Sequence, residues 1–316
     1  MKISFLIFAL IFYPTLCFGE LFLQITKGSE DPYKIAMIPF EGNSRISKEL
    51  NSIIQNDLIR TGEFSILDEE LLLPIQIIDD ELVYNDWKLL GMDYLVTGKI
   101  IQTNNSLDVN YEIYDINKKR KVRTSKVFGI PNQIRQLAHY SSDGIYESIT
   151  GIKGIAATRL LYVNEIKDSK LVSTYKLMLA DSDGKNEKNL LTSSEPIISP
   201  SWSPDGKRVA YVSFETGMAK VYIQEISSGN REAVLSKDTQ ISSPSWSPDG
   251  KYLSLTLYQD GNAEIYILRL RDRTLTRMTK QYAIDTESSW SPKGNKILFT
   301  SGRSGSPQIY ELDLRK

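Results

Sequence analysis

The chain has 316 residues, a length that suggests two domains. Its 38 Lys and Arg residues are balanced by 39 Asp and Glu residues, and 41% of the chain is hydrophobic. This composition excludes a strongly basic nucleic-acid-binding protein and a disordered chain. The single Cys and single His exclude Cys/His zinc sites, and no motif in the chain predicts a cofactor.

Residues 1–19 have the layout of a cleavable signal peptide. Lys2 precedes the apolar run 3–12, and the small residues Cys17 and Gly19 stand at the −3 and −1 positions of the cleavage site. We therefore expect cleavage between Gly19 and Glu20.

Two alternatives for this segment stay open. A membrane anchor needs about 20 apolar residues, and the run here is shorter. Lipidation of Cys17 needs a small residue before it, where the chain has Leu16. After cleavage no apolar stretch remains that could span a membrane, so the mature chain is expected to have no membrane span.

Residues 20–158 predict a small α/β domain. Apolar residues spaced three and four apart indicate helices, and runs of β-branched and aromatic residues indicate strands. The predicted helices are 47–61, 86–90 and 132–149, and residues 69–80 are expected to be irregular. The predicted strands are 33–40, 64–67, 94–101, 107–116 and 121–128, and polar turns join the last three into an antiparallel meander.

Residues 159–316 contain a repeat with a period of 44 residues. Trp202, Trp246 and Trp290 each begin a Trp-Ser-Pro motif, followed by Asp-Gly after the first two and by Lys-Gly after the third. Each motif lies between the first two of four short strands, which we name A to D. This period and strand number are typical of β-propeller blades. The successive repeats contain three, four, four and three predicted strands. This predicts about four blades, with strand A missing from the first and strand D from the last.

The order of these parts resembles the TolB family of the Tol–Pal system of Gram-negative bacteria. The resemblance covers residues 20–316 and is most specific at 36–40 (AMIPF), at 90–98 (LGMDYLVTG) and at the joint 150–163 (TGIKGIAATRLLYV). It implies an α/β domain followed by a propeller, in a non-enzymatic protein of the periplasm. Because the family has six blades, the sequence also implies a truncated product or a short relative that closes differently.

The resemblance further implies two binding sites. The lipoprotein Pal is expected at the propeller mouth, on the loops 195–199, 240–243 and 285–287, and other outer-membrane lipoproteins are further candidate partners. The expected contact residues are Gln240, Ser243, Thr286, Ile198 and Glu287. The protein TolA is expected to bind the segment after the signal peptide, namely Glu20, Leu21, Phe22, Leu23, Gln24, Ile25, Thr26 and Lys27. If the missing blades are not replaced, Pal binding is expected to be weak or absent.

Other functions were weighed against this one. A propeller-gated serine peptidase needs Gly-x-Ser-x-Gly, which residues 302–305 lack, and a catalytic histidine. The one candidate, His139, is expected on a helix in a surface or packing role. Residues 181–184 (DSDG) break the spacing of a calcium loop and predict a hairpin turn instead. A secreted propeller scaffold with other partners, or a truncated and non-functional TolB, remain the alternatives.

Overall fold

A computed structural model describes residues 31–75, 77–78, 81–170 and 172–315. The predicted signal peptide, its cleavage site and the predicted TolA segment at residues 20–27 lie outside the described residues. Two regions of secondary structure follow each other along the chain: an α/β region that ends at Thr150 and a series of small antiparallel sheets that starts at Arg159.

The α/β region contains one five-stranded mixed sheet in the order β2-β1-β5-β6-β7. Strand β1 pairs in parallel with β2 and β5, whereas β5, β6 and β7 form an antiparallel meander, as predicted. The strands are β1 (Tyr33–Met37), β2 (Phe64–Ile66), β3 (Ile77–Ile78), β4 (Glu81–Leu82), β5 (Tyr94–Gln102), β6 (Leu107–Asp115) and β7 (Arg120–Gly129).

Three α-helices accompany this sheet: α1 (Ser44–Arg60), α2 (Tyr84–Leu89) and α3 (Ile134–Thr150). Helix α1 begins three residues earlier than predicted because the side chain of Asn43 caps it. Its Oδ1 accepts hydrogen bonds from the backbone nitrogens of Arg45 (3.1 Å) and Ile46 (3.3 Å). The prediction that residues 69–80 are irregular is also wrong in part, because a 3-10 helix occupies Glu69–Leu71 and β3 pairs with β4.

The two faces of the sheet are covered to different extents. Helices α1 and α3 bury Leu50, Ile54 and Ile145 against one face, with β-strand residues such as Ile35. Helix α2 and the preceding loop cover part of the other face, where Trp87 packs in a separate cluster of apolar residues. Residues of β6 therefore alternate between buried ones on the face covered by α1 and α3, such as Val109 and Ile113, and partly exposed ones on the other face.

Among the described residues, the remaining strands form four successive sheets of three, four, four and three strands, which confirms the predicted count. Each sheet is a meander of antiparallel neighbours. The strands are β8 (Arg159–Lys167), β9 (Ser173–Asp181) and β10 (Lys188–Ser193); β11 (Ile197–Trp202), β12 (Arg208–Ser213), β13 (Lys220–Glu225) and β14 (Arg231–Ser236); β15 (Ile241–Trp246), β16 (Tyr252–Gln259), β17 (Asn262–Arg269) and β18 (Leu275–Arg277); and β19 (Asp285–Trp290), β20 (Lys296–Ser301) and β21 (Gln308–Asp313).

The Trp-Ser-Pro-Asp-Gly motif forms the turn between strands A and B. In the third sheet Ser247 Oγ accepts a hydrogen bond from the backbone nitrogen of Tyr252 (3.0 Å) and donates one to Asp249 Oδ1 (2.6 Å). Gly250 adopts φ of +69°, a backbone conformation that favours glycine. The turn is therefore tied by side chains as well as by its backbone.

Neighbouring sheets are joined at these turns by stacked side chains. The guanidinium carbon of Arg159 lies 4.8 Å from the ring centroid of Trp202, and Arg208 lies 4.9 Å from that of Trp246. Arg159 also donates a hydrogen bond from Nη2 to the backbone oxygen of Gly206 (3.0 Å). The B strands of the first two sheets thus begin with an Arg that forms a cation–π pair with the Trp of the following sheet. In the third sheet Tyr252 takes this place, with its ring centroid 6.5 Å from that of Trp290.

A first prediction concerns the contact between α3 and the sheet. A Cβ added at Gly144 would lie 2.0 Å from the hydroxyl oxygen of Tyr111 and 3.4 Å from its Cζ. We expect Gly144→Ala to lower the free energy of unfolding by about 1–3 kcal/mol because of this overlap. In a Tyr111→Phe background the overlap is gone, and the same substitution should be neutral or stabilising by up to about 1 kcal/mol because alanine favours helix. Chemical denaturation of the four variants checks this reversal of sign.

A second prediction concerns the turn in the third sheet. Burial acts to raise the pKa of Asp249, but hydrogen bonds from Ser247 and from the backbone nitrogen of Lys251 outweigh it and lower this pKa. Asp249→Ala should therefore cost about 1 kcal/mol at pH 7, towards the low end for a hydrogen-bonded carboxylate because the side chain is 49% exposed.

The pH dependence of this effect has a defined sign. A carboxylate with a lowered folded-state pKa contributes stability above its unfolded-state pKa of about 3.9, and loses it as the pH falls through the folded-state value. The difference between wild type and Asp249→Ala should thus shrink in acid. Asp249→Asn, which keeps an acceptor oxygen, is the control and should lose less at pH 7. Urea unfolding at pH 7 and pH 3 measures both, and a cost independent of pH would contradict the assignment.

Candidate functional site

The propeller sheets have two different ends, one with the Trp turns and one with the connections that lead into the A strands. Every A strand ends at a Trp turn, so the loops that precede β11, β15 and β19 lie at the opposite end. We call this opposite end the mouth, defined by residues 195–199, 240–243 and 285–287. The prediction that these residues form loops is wrong in part, because most of them belong to the first residues of β11 and β15, and 285–287 lie wholly within β19. The turn after β9 and the connection into β8 lie at the Trp-turn end. The α/β region therefore joins the propeller at the end away from the mouth.

Each A strand carries a β-bulge near the mouth. The pairing register shifts between Ile198 and Ser201, and at the equivalent place in β15 and β19. Within these bulges Ser199, Ser243 and Glu287 adopt φ of +51°, +54° and +57°. Left-handed backbone is costly for residues other than glycine, and bulges redirect side chains. Sequence reasoning missed this feature because none of the three positions is a glycine.

The five predicted mouth residues lie on three neighbouring inner strands or immediately before them. Gln240 and Glu287 are exposed, whereas Ile198, Ser243 and Thr286 are partly buried. The structure brings Thr286 next to the third sheet, since its Oγ1 lies 3.4 Å from that of Thr256. Their positions leave polar side chains accessible at the mouth.

A buried ion pair lies directly below the mouth in the fourth sheet. Asp285 has no exposed side-chain surface and accepts a hydrogen bond at Oδ2 from Arg303 Nη2 (2.7 Å). The guanidinium of Arg303 in turn stacks on Tyr310, 4.7 Å from the ring centroid. The equivalent positions in the two preceding sheets are Ile197 and Ile241, which are buried apolar residues. Sequence reasoning placed Asp285 at the mouth but missed its burial and its ion pair, although the change from Ile to Asp within the repeat is a visible signal.

A second buried carboxylate holds the loop that leads into β19. Glu264 accepts hydrogen bonds from Arg277 Nη2 (3.0 Å), Thr279 Oγ1 (2.6 Å) and the backbone nitrogen of Gln281 (2.7 Å). The bond to Glu264 also raises the pKa of Arg277. Asn262 donates from Nδ2 to two backbone oxygens of the same loop, at 2.7 and 2.8 Å. This network fixes the loop that presents Thr286 and Glu287.

At the Trp-turn end, salt bridges connect the α/β region to the first propeller sheet. Arg135 of α3 donates from Nε to Asp181 (3.1 Å) and from Nη2 to Asp183 (2.6 Å). Residues 181–184 form the predicted turn, and Gly184 has φ of +77°. Burial acts to raise the pKa of Asp183, but hydrogen bonds from Arg135 and Lys185 outweigh it and lower this pKa. The two carboxylates thus bind a guanidinium that belongs to the same chain.

His139 belongs to the same junction. Its ring is buried, and Nδ1 lies 2.6 Å from Asp57 Oδ2, which also accepts a hydrogen bond from Ser142 Oγ (2.8 Å). Its Nε2 lies 3.8 Å from Asp181 Oδ2. Donor atoms of His139, Asp181 and Asp183 lie within 4.8 Å of one another, the spacing of a metal site. Arg135 already occupies the carboxylates, so the arrangement is that of an ion-paired junction. Of the two predicted roles for His139, the structure supports packing.

The backbone of the joint is also bonded to α3. Asp143 accepts hydrogen bonds from the backbone nitrogens of Ala156 (2.6 Å) and Ala157 (3.0 Å). Ser182 donates to the backbone oxygen of Ala156 (2.7 Å) and accepts from Arg60 (3.2 Å). The joint is therefore fixed from both sides. Among the described residues, no helix combines the length and the apolar character needed to cross a membrane.

Comparison with known proteins matches both parts of the chain. The family model of the TolB amino-terminal domain matches residues 21–122, and that of the TolB beta propeller domain matches residues 146–316. Curated relatives described as Tol-Pal system protein TolB include those of Alcanivorax borkumensis, 41% identical over 212 residues, and Pseudomonas entomophila, 38% identical over 209 residues. The alignment covers 66% of this chain in each case. The chain spans about half the length of these relatives, 48% of each.

A solved structure gives the same result. The crystal structure of TolB from Acinetobacter baumannii superposes with a TM-score of 0.82 at 38% sequence identity. The superposition covers 91% of this chain and 70% of that one. These matches agree with the resemblance inferred from the motifs and with the predicted order of an α/β domain and a propeller. The chain belongs to the TolB family.

Proposed function

We propose that this chain is a periplasmic protein–protein interaction component of the Tol–Pal system. In this proposal it binds the lipoprotein Pal at the mouth and TolA through residues 20–27, and thereby supports outer-membrane integrity and constriction during cell division. Other outer-membrane lipoproteins are further candidate partners at the mouth. The observation that carries the proposal is the match of both TolB family models, in order, on one chain.

The chemistry of the mouth supports a protein partner. Its accessible groups include the side chains of Gln240, Ser243, Thr286 and Glu287, which can donate and accept hydrogen bonds at a protein surface. The networks around Glu264 and Asp285 hold the loop beneath them. A binding surface that is fixed before association loses less conformational entropy on binding.

The proposal also assigns the two domains separate tasks. The α/β domain, residues 20–158, carries the TolA segment at its start, and the propeller, residues 159–316, carries the mouth. The ion-paired junction of Arg135, Asp181 and Asp183 lies away from the mouth, which leaves the mouth accessible. The alternative is a secreted propeller scaffold with other partners, or a TolB that has lost its function.

A third prediction tests the mouth. Glu287→Lys should weaken Pal binding about tenfold, because it reverses an exposed charge at the mouth. Glu and Lys are both unbranched at Cβ, so the substitution adds little strain at the left-handed φ of residue 287. The matched control is Lys251→Glu, which reverses a 75% exposed charge at the Trp-turn end and should leave Pal binding unchanged. Isothermal titration calorimetry with purified Pal measures both.

The outcomes separate the alternatives. TolB of Acinetobacter baumannii serves as the positive control for the Pal preparation. Equal affinity of wild type and Glu287→Lys would contradict the assignment of the mouth. Absence of any Pal binding by the wild-type chain, with the control active, would contradict the proposal and favour a scaffold with other partners or a non-functional TolB.

A fourth prediction tests the segment after the predicted signal peptide. Deletion of residues 20–27 from the secreted chain should abolish TolA binding and leave Pal binding within about twofold, since the segment precedes β1 and the mouth lies in the propeller. Surface plasmon resonance with the periplasmic part of TolA measures the effect. A chain with residues 20–27 replaced by a Gly-Ser sequence of equal length is the control for spacing. Undiminished TolA binding by either variant would contradict the assignment.

A further inference from the structure

Strand β7 forms an open edge of the α/β sheet. It is the last strand in the order β2-β1-β5-β6-β7 and, among the described residues, it pairs with β6 alone. The described backbone hydrogen bonds outside regular elements include none to Arg120–Gly129. An edge of this kind presents a row of free N–H and C=O groups, which is a template for another strand.

The usable part of this edge is seven residues long. A register irregularity at Val122 interrupts the pairing with β6, after which Arg123 to Gly129 pair without a break with Ile113 to Leu107. Seven residues of strand span about 23 Å. This is enough to pair with a strand of ordinary length.

A groove runs beside the edge on the side of α3. The cavity has a volume of 460 Å³ and is lined by Arg123, Ser125 and Val127 of β7, by Tyr140 and Glu147 of α3, and by Lys153 of the joint. An added strand would place every second side chain in this groove, because side chains of a strand alternate between the two faces. Tyr140 is 46% exposed, and an added strand would cover part of its ring.

The edge and the turn before it are basic. Residues 118–126 contain six Lys and Arg residues, and the chain has no Asp or Glu between residues 116 and 142. Four of the six pair with acidic residues of β6 and α3, namely Lys118, Lys121, Arg123 and Lys126, yet these side chains remain 43–64% exposed. Exposed pairs are weak and can exchange partners. No ion pair of Lys119 or Arg120 is found in the described part of the chain.

Charge and apolar exposure together select the occupant. A second copy of β7 would bring six basic residues against six, which is unfavourable. Basic residues on an edge strand can also serve to prevent pairing. That role does not account for an exposed aromatic ring at the end of the same strand. Phe128 is 68% exposed at the end of the strand, with Lys126 Nζ 4.5 Å from its ring centroid. The edge therefore combines free backbone groups, positive charge and an apolar contact.

We propose that the outer edge of β7 binds an extended, acidic segment of a partner protein by adding it as a sixth strand. Backbone hydrogen bonds along 123–129 supply the affinity, and the basic residues and Phe128 select a segment in which carboxylates alternate with apolar residues. This binding surface is made of other residues than the mouth.

The probe is a ten-residue synthetic peptide in which Glu and Val alternate, titrated into the full chain. Amide hydrogen exchange of residues 123–129 should slow in the presence of the peptide, and fluorescence anisotropy should give a saturable affinity that falls as salt is added. A peptide with Lys in place of Glu should bind at least about tenfold more weakly. N-methylation of alternate backbone nitrogens should abolish binding because it removes ladder donors.

A matched pair of variants locates the surface. Lys119→Glu/Arg120→Glu should weaken peptide binding about tenfold, whereas Lys251→Glu/Lys293→Glu, an equal change of charge at the Trp turns, should not. Equal loss in both variants, or no saturable binding, would overturn the proposal and mark the edge as a protected one.

Two further outcomes would also overturn it. Amides of 123–129 that are already protected in the free chain and become exposed on deletion of residues 20–27 would show that the chain's own segment occupies the edge. Protection that rises with protein concentration would show pairing between two copies.

Discussion

Every inner strand of the propeller is held at both ends, and this constraint shapes the rest of the molecule. At one end the Trp turn is tied by the hydroxyl of its Ser, which accepts a backbone hydrogen bond in all three turns. A residue of the preceding sheet lies against each Trp, namely Arg159 on Trp202, Arg208 on Trp246 and Tyr252 on Trp290. At the other end a bulge places Ser199, Ser243 and Glu287 in left-handed backbone. The left-handed positions of the three inner strands thus lie at the mouth, at the ends opposite the Trp turns. Backbone strain of this kind is often found at functional sites.

The two buried carboxylates near the mouth and the junction at the opposite end are held in the same way, by ion pairs between a carboxylate and an arginine. Burying a charge is unfavourable unless it is paired and hydrogen-bonded, so each carboxylate demands a specific partner geometry. Asp285 pairs with Arg303, Glu264 with Arg277, and Asp181 with Arg135. These pairs fix loops that the apolar core does not reach. They join the α/β domain to the propeller and shape the mouth.

Much of the fold could be predicted because it depends on short-range patterns. The 44-residue spacing of Trp202, Trp246 and Trp290 predicted the sheets and the number of their strands, and the polar turns predicted the meander β5–β7. The parallel pairing of β1 with β2 and β5, and the side-chain cap at Asn43, were not predicted. Pairing between distant strands and the start of a helix depend on contacts that a linear pattern does not contain.

The sequence by itself determined the order of the two parts, the propeller repeat and the family, because all three are written in local motifs. Only the tertiary structure decided that His139 is buried between Asp57 and Asp181, that the DSDG turn binds Arg135, and that β7 ends the sheet with a basic open edge. Each of these joins residues far apart in the chain. Their distance in space is set by how the sheets and helices pack, and the spacing of residue types along the chain does not encode it.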